Sequence, residues 1–201
     1  MITIVKYGMG NVGSVLNMYR KLGIKARCET TPEGILGSSH LILPGIGAFD
    51  ACVAALAASG LREAVLETAR RGKPLLGICV GMQMLGESSE EGPGQGLNLI
   101  RARSHRIVVN DADYKVPHMG WNEVSWTRNS ALVGELRQES RFYFVHSFQV
   151  KCDDEANVLA VTQHERQITA AISAGNVFGV QFHPEKSHRF GLELLRNFAT
   201  L

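Results

Sequence analysis

The stretch that most limits how this chain can fold is Lys73-Pro-Leu-Leu-Gly-Ile-Cys79-Val-Gly-Met-Gln83. An apolar run with turn residues on its N-terminal side reads as a buried strand. It passes straight into Gly77-Ile-Cys79-Val-Gly81, and Met82-Gln83-Met84-Leu85 continues as a helix. Side chains flanking Cys79 in so tight a turn would clash, so glycine is required there. Glycines two positions either side of a nucleophile-type residue are the nucleophile-elbow pattern, here with cysteine in place of serine. Such a turn lifts the sulfur above the C-terminal edge of a sheet and aims it at a helix N-terminus, whose unpaired N–H groups favour a thiolate. Taken alone, the stretch fits a buried strand cysteine beside an ordinary glycine turn equally well.

The chain before the elbow alternates strand and helix. Ile2 to Val5 is a β run, followed by the glycine-rich turn Tyr7-Gly-Met-Gly-Asn11. Asn11 can cap a helix that carries Val12, Val15, Leu16 and Tyr19 and stops at Gly23. Lys25 to Thr30 is a second strand, Thr31 to Gly37 a short polar helix or loop, and His40 to Leu43 a third strand cut off by Pro44-Gly-Ile-Gly47. Phe49 to Ala58 and Leu61 to Arg71 are helical, with Gly60 and Gly72 as stops. This alternation predicts a parallel sheet with helices on both faces. After Gly92 the texture changes to short β segments: Ile107 to Val109, Asn122 to Trp126, Arg141 to Val150 and Val158 to Thr162. A hairpin of Ile168 to Ser173 and Val177 to Phe182 turns at Ala174-Gly-Asn176, and Phe190 to Leu201 is an amphipathic helix with Leu192, Leu195 and Phe198 on one face. The expected architecture is a doubly wound, mostly parallel α/β sheet with an antiparallel extension, in a single domain over residues 1–201.

Composition excludes several classes. With 201 residues the chain can bury a full core, and 45% hydrophobic with 20% charged residues is ordinary for a soluble globular protein. A formal net charge of +2 points to neither nucleic acid nor membrane. Met1 to Val5 lacks a basic n-region or long apolar core of a signal peptide, and Cys28, Cys52, Cys79 and Cys152 lack C-x-x-C spacing. These features predict a cytoplasmic protein with reduced thiols, no structural zinc and no cofactor.

A cysteine nucleophile needs a base, and the base an orienting acceptor. Gln181-Phe-His183-Pro-Glu185-Lys-Ser offers both: in an extended segment His183 and Glu185 project to one side, with Pro184 fixing the backbone between them. The chain order nucleophile, histidine, acid differs from that of an α/β-hydrolase, whose acid precedes the histidine. A metal site of His183, Glu185 and His188 matches no ligand spacing and has Lys186 in its midst. An oxyanion hole needs two converging N–H donors. The amide of Val80 is one, and the loop Pro44-Gly-Ile-Gly47 at the end of the adjacent strand can supply the other.

At this point the residues resemble the triad class of glutamine amidotransferases, whose two signatures are G-x-C-x-G-x-Q at 77–83 and H-P-E at 183–185. Tyr7-Gly-Met-Gly-Asn11, Pro44-Gly-Ile-Gly-Ala-Phe49, Pro117-His-Met-Gly-Trp-Asn122 and Tyr143-Phe-Val-His-Ser-Phe148 narrow the resemblance to the glutaminase subunits of imidazole glycerol phosphate synthase. The resemblance implies that Cys79 attacks the side-chain amide of L-glutamine to give a glutamyl thioester, and that His183, oriented by Glu185, protonates the departing ammonia and activates water. It implies that Gln83, Glu91 and Ser147 hold the glutamine, and that a peptide at Gly45 and Ile46 turns over to complete the oxyanion hole. It further implies a heterodimer with a (β/α)8-barrel cyclase that receives the ammonia, with Asn11, Trp121 and Lys186 at the interface. Three features depart from the pattern. Lys6 replaces a common acid, Leu97 to Arg106 is basic rather than glycine-rich, and Glu185-Lys-Ser-His-Arg-Phe-Gly191 equally resembles a paralogous branch that donates ammonia to surface-polysaccharide sugars. That paralogue, and a non-catalytic binding module on the same fold, are the alternatives.

Overall fold

The computed structural model describes residues 1–134, 136 and 140–201. In chain order its first half comprises β1 (Ile2–Val5), α1 (Val12–Lys21), β2 (Ala26–Glu29), α2 (Pro32–Leu36), β3 (His40–Gly45), α3 (Phe49–Ala58), α4 (Arg62–Arg70), β4 (Leu75–Cys79) and α5 (Val80–Met84). Short strands β5 (Ser88–Ser89) and β6 (Ala102–Arg106) follow, then β7 (His118–Trp126), β8 (Arg141–His146), β9 (Phe148–Cys152), β10 (Val158–Gln163), β11 (Gln167–Ala174), β12 (Val177–Val180) and α6 (His188–Phe198).

The main sheet has the order β2-β1-β3-β4-β12-β11-β10-β7-β8. From β2 to β12 every neighbouring pair is parallel, and from β12 to β8 every pair is antiparallel. β5, β6 and β9 form a separate small sheet. The inner parallel strands β1 and β4 are buried along their whole length, and β3 beyond His40, because helices cover both faces. The edge strand β2, by contrast, carries Arg27 and Glu29 and is only half-buried. Ile4, Leu41, Ile42, Leu43, Leu75 and Leu76 are all buried. Burying each such side chain contributes about 1.5–3 kcal/mol, so a large-to-small change at Leu43, at the centre of β3, costs about 2–5 kcal/mol. α1 turns Val15, Met18 and Tyr19 inward, and α6 does the same with Leu194, Leu195 and Phe198. Among the described residues no helix is long and apolar enough to cross a membrane.

Several sequence expectations need correction. The strand expected at Ile107 to Val109 lies upstream instead, at Ala102–Arg106, where Ser104 turns in and Arg103 and Arg106 face out. Arg141 to Val150 is not one strand: it breaks at Ser147 into β8 and β9, which belong to different sheets. Asn11 does not cap α1 with its side chain; that amide is used elsewhere, as shown below. His183 to Glu185 is not extended, because Pro184–Lys186 forms a 3-10 turn. The C-terminal ends of β3, β4 and β12 converge at one edge of the parallel half, the edge at which an open α/β sheet offers a crevice.

Candidate active site

β4 ends at Cys79, which has φ 55° and ψ −113°. A non-glycine residue held in such a region costs about 1–3 kcal/mol and persists only where its surroundings enforce it. Here the enforcement is backbone contact. A Cβ on Gly77 would lie 2.5 Å from the Gly81 carbonyl oxygen, and one on Gly81 would lie 2.0 Å from that of Leu43. Gly45, paired in register with Cys79, sits so close that its Cβ would meet the Gly81 nitrogen at 2.6 Å. The elbow expected from the sequence is present. α5 spans only five residues, so it offers the sulfur the N–H groups of one turn rather than a long macrodipole.

His183 follows β12 at the sheet edge, its N–H bonded to the Tyr143 carbonyl at 2.9 Å. The 3-10 turn after it folds Glu185 back, so that His183 Nδ1 lies 2.7 Å from Glu185 Oε1. Ser187 Oγ locks the turn by donating to the His183 carbonyl at 2.6 Å and accepting the Tyr143 N–H at 3.0 Å. The His183 and Glu185 side chains are 3% and 1% exposed, and a buried pair needs good geometry to repay desolvation. Asn11 Nδ2 supplies a further hydrogen bond to the same Glu185 oxygen at 2.8 Å. Burial pushes the Glu185 carboxyl up, but the His183 hydrogen bond and charge, with Asn11, outweigh it and hold the pKa below the usual range. Burial likewise pulls the His183 imidazolium down, yet interaction with the Cys79 thiol and with Glu185 raises it to about 9. Because an ionised carboxylate only accepts, Nδ1 carries a proton and Nε2 is the ring nitrogen left for Cys79.

A cleft of about 410 Å³ opens over the sulfur. Cys79, Val80, Ile46, Gln83, Glu91, Ser147, His183, Asn11 and Lys186 all line it. Gly45, Glu185 and Trp121 do not: Gly45 ends β3 beneath the elbow, Glu185 lies behind His183, and Trp121 is on the outer surface. There the Trp121 ring stacks on His188, 5.3 Å between centroids, and Lys186 Nζ lies 5.5 Å over the Tyr143 ring. Gln83 Nε2 is directed to the Phe148 carbonyl at 3.4 Å and to Gln181 Oε1 at 3.2 Å. Glu91 Oε2 accepts the Phe49 N–H at the start of α3, at 2.7 Å, which anchors its carboxylate at the cleft rim.

Three contacts were absent from the sequence reading. Gln181 Nε2 donates to Cys79 Sγ at 3.8 Å, Cys52 Sγ donates to the Ile46 carbonyl at 3.2 Å, and Tyr7 Oη donates to the Pro44 carbonyl at 2.6 Å. Gln181, beside the His-Pro-Glu stretch, and Tyr7, in Tyr7-Gly-Met-Gly-Asn11, lay in stretches the sequence marks out, whereas nothing local pointed to Cys52.

Residues 4–200 match the glutamine amidotransferase class-I family. The chain is 47% identical over 199 residues to imidazole glycerol phosphate synthase subunit HisH 2 of Methanococcus maripaludis, with 98% of each chain covered. It is 46% identical over 202 residues to the protein of the same name from Pseudomonas aeruginosa, with 100% of each covered. Among solved structures, a glutamine amidotransferase superposes with a TM-score of 0.72 at 21% identity, covering 98% of this chain and 100% of that one. One from Thermotoga maritima gives 0.64 at 18% identity, covering 99% and 82%, so these share the fold. With an elbow cysteine, a buried histidine–glutamate pair and matches across nearly its whole length, the chain belongs to the class-I glutamine amidotransferase family.

Proposed function

We propose that this protein is the glutaminase subunit of an imidazole glycerol phosphate synthase, hydrolysing L-glutamine and passing the ammonia to a separate (β/α)8-barrel cyclase. The observation that carries the reading is the buried His183–Glu185 pair set against the strained Cys79. The high identity to subunits named for that synthase supports the pathway.

The geometry accounts for each step. The Cys79 sulfur attacks the glutamine amide carbon as the thiolate, and the carbonyl oxygen becomes an oxyanion beside Val80 and the Ile46 loop. The C–N bond breaks as the nitrogen takes the proton held on His183 Nε2, so ammonia leaves and a glutamyl thioester remains. Water then attacks the thioester, giving its proton to the now neutral His183, and glutamate departs as the thiolate returns. Glu185 holds the ring in register throughout, the role of the acid in a catalytic triad. Gln83, Glu91 and Ser147 face the amino-acid end of the substrate. Ammonia released into neutral water is protonated and no longer a nucleophile, so its use calls for delivery away from water into a partner. Asn11 and Lys186, which line the cleft, and the exposed Trp121 would meet that partner.

The test is glutamate release by the protein in complex with its cyclase, with the cyclase's nucleotide substrate bound. Turnover is expected to rise on nucleotide binding and to vanish in Cys79→Ala; undiminished turnover in that variant would overturn the reading. Stimulation by a sugar-modifying acceptor enzyme in place of the cyclase would reassign the acceptor and leave the Cys79 chemistry standing.

A further inference from the structure

Ser147 stands at a corner between β8 and β9, and the corner is tied from inside. His146 Nδ1 lies 2.8 Å from the Phe148 carbonyl oxygen, across Ser147. His146 Nε2 lies 3.0 Å from His118 Nδ1 on β7, and His118 Nε2 lies 3.2 Å from the Asn122 side-chain amide. Both histidines are buried, and the His118 ring stacks on Phe144 with 4.9 Å between centroids.

Hydrogen-bond chemistry gives this chain a single direction. A carbonyl oxygen only accepts, so His146 Nδ1 carries the proton and His146 Nε2 is an acceptor. His118 Nδ1 must then donate, which leaves His118 Nε2 to accept from Asn122 Nδ2; that amide also donates to the Gln163 carbonyl at 2.6 Å. Protonating either ring would set two donors face to face. Burial, with the His164 imidazole 4.6 Å away between ring centroids, pushes His118 down to about 4, and burial pushes His146 down to about 3, so both rings are neutral.

The other side of the Phe148 carbonyl leads to the reaction centre. Its oxygen also accepts from Gln83 Nε2, Gln83 bonds Gln181, and Gln181 bonds the Cys79 sulfur. One carbonyl therefore joins the histidine pair to both Ser147 and Gln83. We propose that His118 and His146 are positioning residues that, through the Phe148 carbonyl, hold the Ser147 corner and the Gln83 amide in the geometry that receives the amino-acid end of glutamine. The assignment rests on the glutaminase reading above. That end of the substrate does not change during the reaction, so losing the relay weakens ground-state and transition-state binding alike: KM rises and kcat holds.

Two measurements test it. Histidine ¹⁵N–¹H correlation spectra of the whole protein should show His118 and His146 neutral and protonated at Nδ1; an Nε2–H tautomer at either ring overturns the relay. This readout needs no turnover. In the complex with the cyclase, His118→Phe keeps a ring over Phe144 but removes the donor, and should raise KM for glutamine about tenfold with kcat within about twofold. His118→Asn, whose amide places a donor where Nδ1 sits, should restore most of the loss. Equal KM values for the Phe and Asn variants, or a loss confined to kcat, overturn the positioning role. A wild-type complex that releases no glutamate would instead overturn the glutaminase reading and the positioning role with it, while the tautomers still judge the relay.

Discussion

Asn11 Nδ2 lies 2.8 Å from Glu185 Oε1, the oxygen that also accepts from His183 Nδ1 at 2.7 Å. Glu185 Oε2 is buried and has no partner among the described residues, so the orientation of the carboxylate depends on one oxygen. Hydrogen bonds to charged groups contribute about 1.5–3 kcal/mol. Asn11→Ala should therefore lower kcat at least tenfold at saturating cyclase, and Asn11→Asp should lower it more by setting a second carboxylate beside Glu185. Partner affinity, titrated separately, distinguishes this from a weakened interface. Wild-type kcat in Asn11→Ala would remove Asn11 from the catalytic group.

The same residue shows where reading the sequence reaches its limit. Local rules suggested a helix cap for Asn11, and the resemblance suggested an interface; its contact with Glu185 spans 174 positions, and no local pattern encodes that. The elbow was legible because the glycines that relieve its crowding are sequence neighbours of Cys79. The parallel half was legible because each buried strand is a short apolar run closed by a turn. The break at Ser147 was not. From Arg141 to Val150 inward and outward residues alternate without interruption across Ser147, so the period is that of one strand even though the chain changes sheets. The fold of Glu185 onto His183 was anticipated with the wrong backbone: either an extended segment or a 3-10 turn can bring residues two apart together, and spacing does not choose between them.

The His183 proton gives a pH dependence with a definite sign. Its folded pKa, about 9, lies above the ~6.5 of a free histidine. The stabilisation is therefore fully present below about pH 6.5 and is lost as pH rises through about 9. The thermal midpoint should fall between pH 7 and about pH 10 from this group, and by less in Glu185→Gln, which lacks the charge that helps to hold the proton. The rate of thioester formation in single-turnover experiments should fall over the same alkaline range, since in the proposed mechanism this proton goes to the leaving ammonia. An NMR titration placing His183 at or below 6.5 would contradict both expectations.

The glycine contacts predict opposite outcomes at two positions. A Cβ at Gly81 would lie 2.0 Å from the Leu43 carbonyl oxygen, a rigid backbone atom, whereas one at Gly13 in α1 meets nothing within 4 Å. Gly81→Ala should destabilise by about 1–3 kcal/mol or more and displace Cys79, abolishing turnover. Gly13→Ala gains up to about 1 kcal/mol of helix propensity and should raise the thermal midpoint by about 2–4 °C. Differential scanning calorimetry of the two variants separates them, and a Gly81→Ala protein with wild-type midpoint and activity would show that the elbow tolerates a side chain after all.

Cys52, which carries no motif in the sequence, holds the loop beside Cys79. Its thiol donates to the Ile46 carbonyl at 3.2 Å, while Tyr7 Oη holds the Pro44 carbonyl two residues earlier at 2.6 Å. Burial pushes the Cys52 thiol up, so it remains a donor at neutral pH. In a trans peptide the carbonyl and the following N–H point in opposite directions. Cys52 is fully buried, and Ile46 and Gly47 line the cleft, so the thiol ties this loop down from behind, next to the place where an oxyanion would form. Turning the peptide after Ile46 over breaks the thiol's hydrogen bond. A neutral hydrogen bond contributes about 0.5–1.5 kcal/mol net, so Cys52→Ala should lower kcat about three- to tenfold with KM for glutamine unchanged. Cys52→Ser, of similar size to Ala but with a donor, should stay within about twofold of wild type. The comparison separates hydrogen bonding from packing: equal losses in the two variants would mean that the sulfur's volume matters and its proton does not.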